Sequence, residues 1–298
     1  MAIEIGAKLK DLREYYNVSQ RELAKDICSQ KMISKIERGE SQPTAEILYE
    51  IAIRLGVEIT YFFADNEAPR FNYVEETKQK IEELVTATEY QEAVNIVKQE
   101  LKNPLFRKPM HTKFLLWKRA ICHFHLTDEK HEALELIELA MDIETNSKKT
   151  ITLTDIELNI TLGIMHSDLK DFDSAIIYYQ KARRMIEKLP KLSTNSQLVK
   201  LHYNLSLTQF RMQIYKESIE VASQGIELCI KTDSTFLLGN LYYQKGVSLY
   251  YDDNSREGLQ YMKKAIYLFE EKDQQVFKEF VEANFLRYQR LAVGKAIS

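Results

Sequence analysis

The sequence predicts an all-α protein: a domain of five short helices, then about five helix pairs and a capping helix. Three observations predict it. Nine glycines and five prolines among 298 residues are under half the roughly 12% that an average chain carries. That is too few for the many turns of an all-β fold. No proline lies between Met110 and Leu189 or after Lys191, so both stretches are free to be long helices, because proline breaks helix interiors. Finally, a pattern of small residues recurs along residues 74–298 at a nearly constant period.

Composition narrows the class further. Charged residues are 29% and hydrophobic ones 45%, the range of a protein with a buried core. No stretch of 18 apolar residues exists, so no membrane span is expected. The start, MAIEIGAKLKDLREYY, is charged and lacks a signal-peptide core. Three separated cysteines, Cys28, Cys122 and Cys229, do not resemble a disulfide framework. A cytoplasmic protein with reduced thiols is expected. Net charge is −3, which does not advertise a nucleic-acid binder, although a short basic face can hide within an average.

The first domain is expected over residues 1–65. Ile5, Leu9, Leu12 and Tyr16 recur with helical spacing, and Val18-Ser19 interrupts them. Ser19-Gln20-Arg21-Glu22 is a capping box that starts a second helix, with Leu23, Ala24 and Ile27 inward. Ser29 caps a third helix, Gln30 to Arg38, burying Ile33 and Ile36. Gly39 then sits where a C-terminal glycine belongs. Pro43-Thr44 opens a fourth helix with Ile47, Leu48, Ile51 and Leu55 on one face, and Gly56 ends it. Glu58 to Phe63 reads as a short fifth turn. Cys28 is most simply a small buried residue.

Two short helices joined by a tight turn, with more helices following, make a helix-turn-helix. The run SQRELAKDICSQKMISKIERGESQPTAEILYEIAIRLGV resembles the Cro/C1-type helix-turn-helix family. Ser19-Gln20, Leu23-Ala24, Ile33-Ser34, Ile36-Glu37, Gly39, Pro43, Leu48, Ile51-Ala52 and Leu55 carry the likeness. Gln30 to Arg38 is then the recognition helix, with Gln30, Lys31, Ser34, Lys35 and Arg38 outward. Its N-terminal end would reach base edges in the major groove, where Gln reads adenine and Lys reads guanine. Ser29 joins these as a candidate contact, and Gln20 is placed to donate to a phosphate. Five basic and three acidic residues lie between Gln20 and Arg38, a local excess of positive charge. Solvated lysines and serines are common on any helix, and that reading stands beside the functional one. The resemblance also implies that Arg13 and Glu37 form an internal salt bridge tying the first helix to the third.

Residues 64–73 break the apolar period, with Pro69 at the break, so residues 66–80 are expected to be a linker and the start of a linker helix. From Val74 the period resumes, and 74–298 is expected to be one repeat domain for peptide binding and dimerisation. An aromatic-x-x-small motif recurs as Tyr90…Ala93, Phe172…Ala175 and Tyr215…Ser218. Weaker copies are Lys130…Ala133 and Ser255…Gly258. The small residues are 40, 42, 43 and 40 positions apart. A second small residue precedes each of the last four: Ala120, Gly163, Ser206, Gly246. A third follows: Ala140, Ala182, Gly225, Ala265; the first copy has Glu100 there instead. This is the pattern of tetratricopeptide-like helix pairs, with small residues where two helices cross. The usual period is about 34, and the excess reads as longer helices or loops such as Pro190 to Ser196. Gln274 to Leu291 would cap the last pair.

Such pairs stack into a right-handed superhelix with a concave groove lined by first helices. The favoured peptide contacts are Trp117, Ile160, Ile164, Tyr203, Asn204, Leu207, Asn240, Tyr243 and Tyr250. An Asn side chain satisfies one backbone donor and one acceptor of an extended peptide, while aromatics at helical spacing are as readily core. Phe114, Ile121, Phe124, His125, Glu157, Ser167, Asp168, Lys200, Phe210, Arg211, Val247 and Tyr251 share the same predicted face. Cys122, His123, His125 and His131 cluster, but no second pair stands at zinc spacing, so no metal is expected. No phosphate loop or catalytic constellation is present, and neither a cofactor nor an enzyme activity is expected.

A Cro/C1-type domain followed by such an array resembles the peptide-responsive quorum-sensing regulators of Gram-positive bacteria. It is most similar to the PlcR-type transcription factors, above all in ICSQKMISKIERGESQPTAEIL and LLGNLYYQKGVSLY. The resemblance implies a cytoplasmic homodimer on a palindromic double-stranded DNA operator, controlled by a short signalling peptide in the repeat groove. The competing reading is an interaction scaffold that binds a protein partner, with DNA binding auxiliary.

Overall fold

The computed structural model describes residues 5–63, 69–144, 151–190 and 194–297. Every regular element among them is helical, and none is long and apolar enough to cross a membrane. Contacts divide the chain into two compact units after Thr77.

The first unit holds α1 (Ile5–Tyr15), α2 (Gln20–Ala24), α3 (Gln30–Glu37), α4 (Ala45–Leu55) and a 3₁₀ turn, Ile59–Phe62. Its starts and stops are local chemistry. Ser19 and Glu22 form the reciprocal capping box of α2, which satisfies two backbone donors that a helix start leaves orphaned. Ser29 caps α3 and Thr44 caps α4 through their side chains. Gly56 ends α4 at φ 69°, a left-handed conformation that glycine adopts without a Cβ penalty. Leu9, Leu23, Ile33, Ile36, Leu48, Ile51 and Phe62 close into one core. Gly6 sits against α3 so closely that a Cβ would lie 2.1 Å from the Ile36 carbonyl oxygen. Tyr16, expected on the inner face of the first helix, instead follows α1 and is 48% exposed. A tyrosine just past the helix end has no core left to enter. Cys28 is half-buried rather than buried, because the turn carrying it runs over the surface.

The second unit is a succession of helix pairs. They are α5 (Pro69–Thr86) with α6 (Tyr90–Glu100), α7 (Pro109–Leu126) with α8 (Lys130–Asp142), and α9 (Leu153–Asp168) with α10 (Phe172–Ile186). Then come α11 (Asn195–Arg211) with α12 (Tyr215–Lys231), α13 (Leu238–Tyr251) with α14 (Ser255–Glu271), and α15 (Gln275–Ile297) against α14. The unit boundary falls within α5. That helix begins at Pro69 rather than Val74, since a first-turn proline loses no helical hydrogen bond. Residues 66–68 of the expected linker and 191–193 of the expected loop lie outside the described residues.

Each motif copy opens the second helix of its pair: Tyr90, Lys130, Phe172, Tyr215 and Ser255 are first residues of α6, α8, α10, α12 and α14. The small positions are crossing points. Ala93, Ala120, Ala133, Ala140, Ala175, Ala182, Ser206, Ser218 and Ala265 are fully buried. At Gly258 a Cβ would stand 2.6 Å from the Gly246 carbonyl oxygen, so α13 and α14 meet backbone to backbone. Glu100, the one large residue in the pattern, is buried and accepts a hydrogen bond from Asn103 at 2.7 Å.

The turns within pairs use no glycine. Thr88, Lys170, Gln213 and Asp253 take φ of 62°, 64°, 63° and 60°, each two residues before its second helix. First helices of successive pairs also touch: α7 with α9, α9 with α11, α11 with α13. No comparable packing joins successive second helices among the described residues. The first helices therefore form the tighter, inner layer.

Candidate functional site

In the first unit α3 is held by an ionic tie. Arg13 Nε lies 2.6 Å from Glu37 Oε1, and Glu37 is nearly sealed, its side chain 4% exposed. Arg13 also donates to the Val18 carbonyl at 3.1 Å. The hydrogen bond to Glu37 raises the Arg13 pKa, with burial opposing. Gln20 donates to Glu37 Oε2 at 2.8 Å, so the residue expected to reach a phosphate is engaged inside the domain.

With one face of α3 locked, the other is presented. Ser29, Gln30, Lys31, Lys35 and Arg38 are exposed and Ser34 is half-exposed. Ser29 Oγ accepts from Met32 N at 3.2 Å. Arg38 is the C-cap rather than a helical residue, and pairs with Glu40 at 2.8 Å. Gln30, Lys31 and Lys35 thus form a polar, basic strip along a fixed helix, with Gln30 and Lys31 at its capped end and Lys35 in its last turn. That arrangement suits contact with base edges and phosphates.

In the second unit, polar ties join first helices one repeat apart. Lys118 Nζ lies 2.7 Å from Glu82 and Lys113 Nζ 2.5 Å from Asp155. Lys200 reaches Glu157 and Arg211 reaches Asp168, both at 2.6 Å. Trp117 Nε1 donates to Thr161 Oγ1 at 2.9 Å, and Thr208 Oγ1 to Ser167 Oγ at 2.9 Å. Lys118 also stands 3.5 Å over the Trp117 ring. Burial lowers its pKa, with Glu82 opposing.

These ties sort the expected groove residues. Ile160 is fully buried among Tyr179, Ile156 and Leu201, which corrects its assignment to the groove. Its register meets the neighbouring helices, not solvent. Trp117, 7% exposed, likewise spends its N–H and ring on neighbours. Asn204 is 9% exposed and donates back to the Lys200 carbonyl at 2.8 Å. Tyr250, 7% exposed, has its hydroxyl buried without a partner among the described residues. Ile164, Tyr203, Leu207, Asn240 and Tyr243 remain half-exposed. Asn240 stands beside the Tyr203 hydroxyl and favours its ionised form, but burial outweighs this and pushes the Tyr203 phenol up. Tyr243 is pushed up to about 12 by burial. The accessible inner strip therefore centres on α11 and α13. Phe210, Tyr215 and Tyr251 continue it in mutual contact, with centroids 5.4 to 5.6 Å apart. Sequence reading missed Tyr215 and the ion pairs, for nothing local marks a partner one repeat away.

Of the cysteine and histidine cluster, Cys122 is buried with its thiol pushed up to about 11 by burial. His123 lies 3.3 Å from the exposed Glu132, and with Glu129 their ligand atoms fall within 4.8 Å.

Residues 78–289 match the family model described as the RNPP family C-terminal domain, and residues 9–62 match a helix-turn-helix model. No curated protein matches the chain. Among solved structures, PlcR of Bacillus thuringiensis in complex with the peptide PapR7 and DNA is 23% identical. That match covers 94% of this chain and 99% of PlcR, with a TM-score of 0.78. PlcR in its apo form is 21% identical over 95% of this chain and 99% of its own, with a TM-score of 0.65. ComR from S. thermophilus, in complex with DNA and its signalling peptide ComS, is 16% identical. It covers 96% and 99% of the two chains, with a TM-score of 0.66. At these identities the likeness is one of fold.

Proposed function

This chain belongs to the RNPP family, and from that premise we propose that it is a transcriptional regulator whose operator binding is controlled by a short signalling peptide. The observation that carries the reading is the exposed strip Gln30, Lys31, Ser34 and Lys35 on a helix locked from behind by Arg13 and Glu37. The solved relatives hold DNA together with a peptide, which supports the same pairing here. The protein acts as a homodimer on a palindromic operator, each helix-turn-helix reading one half-site about a helical turn or more from the other. Lys31, Lys35 and Gln30 read the major groove, with Ser29, Ser34 and Arg38 at its edge. Gln20 assists chiefly by holding Glu37.

The peptide lies along the inner strip of the repeats. Asn240 and Tyr203 meet its backbone, while Ile164, Leu207 and Tyr243 meet its side chains. Asn204 and Tyr250 sit just beneath this strip. The peptide changes operator affinity by roughly 5–150-fold, the usual range of allosteric coupling.

Operator selection from random duplexes, with the short peptides encoded near the gene added singly, tests both halves. Lys31→Ala should weaken specific binding while the fold is kept, and Asn240→Ala should weaken the peptide and leave basal DNA binding unchanged. Equal operator binding with and without every such peptide would remove the ligand half.

A further inference from the structure

Between α10 and α11, away from the inner strip, lies a cavity of about 170 Å³. Ile176, Tyr179, Gln180 and Arg183 face it from α10, and Leu201, Leu205 and Gln209 from α11. On α11 these positions recur every fourth residue and lie opposite Lys200, Leu207 and Arg211. This is therefore a different surface from the one assigned to the peptide. The pocket is partly open to solvent, and a volume of this order has room for a ligand of six or so carbons.

Its two ends differ chemically. Arg183 is exposed at one end, and among the described residues no carboxylate pairs with it. Its charge reaches the buried His202, in the middle of α11. At the other end Thr208 Oγ1 donates to the Tyr179 hydroxyl at 3.4 Å, and Gln209 follows Thr208 on α11. Gln209 Oε1 is buried there with no hydrogen-bond partner among the described residues. A buried acceptor without a donor is costly. Ile176, Leu201 and Leu205 make most of the stretch between apolar, with the exposed Gln180 beside them, and Ile176 to Arg183 spans about 10 Å of helix.

We propose that this seam binds a small amphiphile: a carboxylate on an unbranched apolar chain of about six to eight carbons that ends in a hydrogen-bond donor. The carboxylate pairs with Arg183, the chain lies on Ile176, Leu201 and Leu205, and the terminal donor satisfies Gln209 Oε1. A ligand so placed touches the third and fourth pairs at once. It stabilises the folded array by binding it and not the unfolded chain.

Calorimetric titration of the full-length protein with ω-hydroxyoctanoate, octanoate, ω-hydroxyhexanoate and the methyl ester of ω-hydroxyoctanoate tests each part. The ω-hydroxyoctanoate should bind saturably. Shortening by two methylenes should cost roughly tenfold. Loss of the terminal hydroxyl should cost roughly fivefold or more, the worth of one buried hydrogen bond. Arg183→Gln should erase the preference for acid over ester. Gln209→Leu should make octanoate and ω-hydroxyoctanoate equal. Thermal melts of both variants like that of the parent would show that the fold is intact. Absence of saturable binding at millimolar ligand, or equal binding of all four compounds, would overturn the proposal.

Discussion

At Gly258 the smallest side chain is required by a contact that nothing can relieve. An added Cβ would meet the Gly246 carbonyl oxygen at 2.6 Å and the Tyr250 backbone nitrogen at 2.9 Å. Backbone cannot rotate away as a side chain does, so Gly258→Ala must part α13 from α14. Overpacking costs about 1–3 kcal/mol, and alanine returns up to about 1 kcal/mol of helix propensity. A net loss of about 1 kcal/mol is expected in urea unfolding. Gly225→Ala should lose less, because Leu241 and His202 side-chain atoms are what it meets. His202 makes a different residue-scale demand. It is 7% exposed, and burial, with the charge of Arg183 adding, pushes its pKa down from 6.5 to about 4. Below 6.5 the unfolded chain takes up a proton that the folded chain refuses. Stability therefore falls as pH drops from 6.5 to 4 and then levels. Between pH 7 and pH 5 this amounts to about 2 kcal/mol. His202→Leu should remove that portion of the slope when the two proteins are unfolded side by side at both pH values.

Among the elements, α3 shows how a helix is aimed. Its cap, Ser29, sets where it starts, but its rotation is set by Glu37, held by Arg13 from α1 and Gln20 from α2. Arg13→Ala would leave a carboxylate whose side chain is 4% exposed without its cation. Breaking such a pair from one side costs about 3–5 kcal/mol, and replacing both partners with apolar residues recovers much of it. Arg13→Ala should thus lower the melting temperature of the helix-turn-helix unit and weaken operator binding, and Arg13→Leu with Glu37→Leu should restore the melt. The caps of α2, α3 and α4 and the openings of the five second helices were legible in sequence. Each is decided within four residues, by Ser19 with Glu22, by Thr44, or by Tyr90 before Ala93. The inner face was only half legible. Trp117, Ile160 and Tyr203 hold equivalent places, three residues before a small position. Yet Trp117 bonds Thr161 and Ile160 is sealed, while Tyr203 is half-exposed. Which of them meets the next first helix depends on a partner some forty residues away, and no local period carries that. The turns at Thr88, Lys170, Gln213 and Asp253 were hidden for the opposite reason. Their left-handed backbone is usually announced by glycine, and here it is not.

For the whole molecule, the same ties that hide Trp117 decide how the repeats move together. Glu157 with Lys200 and Asp168 with Arg211 join α9 to α11 at 2.6 Å each, and Asn240 of α13 stands beside the Tyr203 hydroxyl of α11. A peptide that engages Asn240 and Tyr203 exchanges their mutual polar contact for its own, and so alters a link in a continuous series of first helices. Polar bonds suit this exchange better than apolar packing, because a hydrogen bond given up to a ligand is replaced at little net cost. If peptide and operator are coupled through such an exchange, linkage makes the effect reciprocal: whatever factor the peptide applies to operator affinity, the operator applies to peptide affinity. Peptide titrations followed by fluorescence anisotropy, with and without saturating operator, should yield that same factor, expected between roughly fivefold and 150-fold. Asn240→Ala should lower peptide affinity and shrink this factor as well. A mutant with weaker peptide binding but an unchanged factor would show that Asn240 only holds the ligand and that the coupling runs through other contacts of the inner strip.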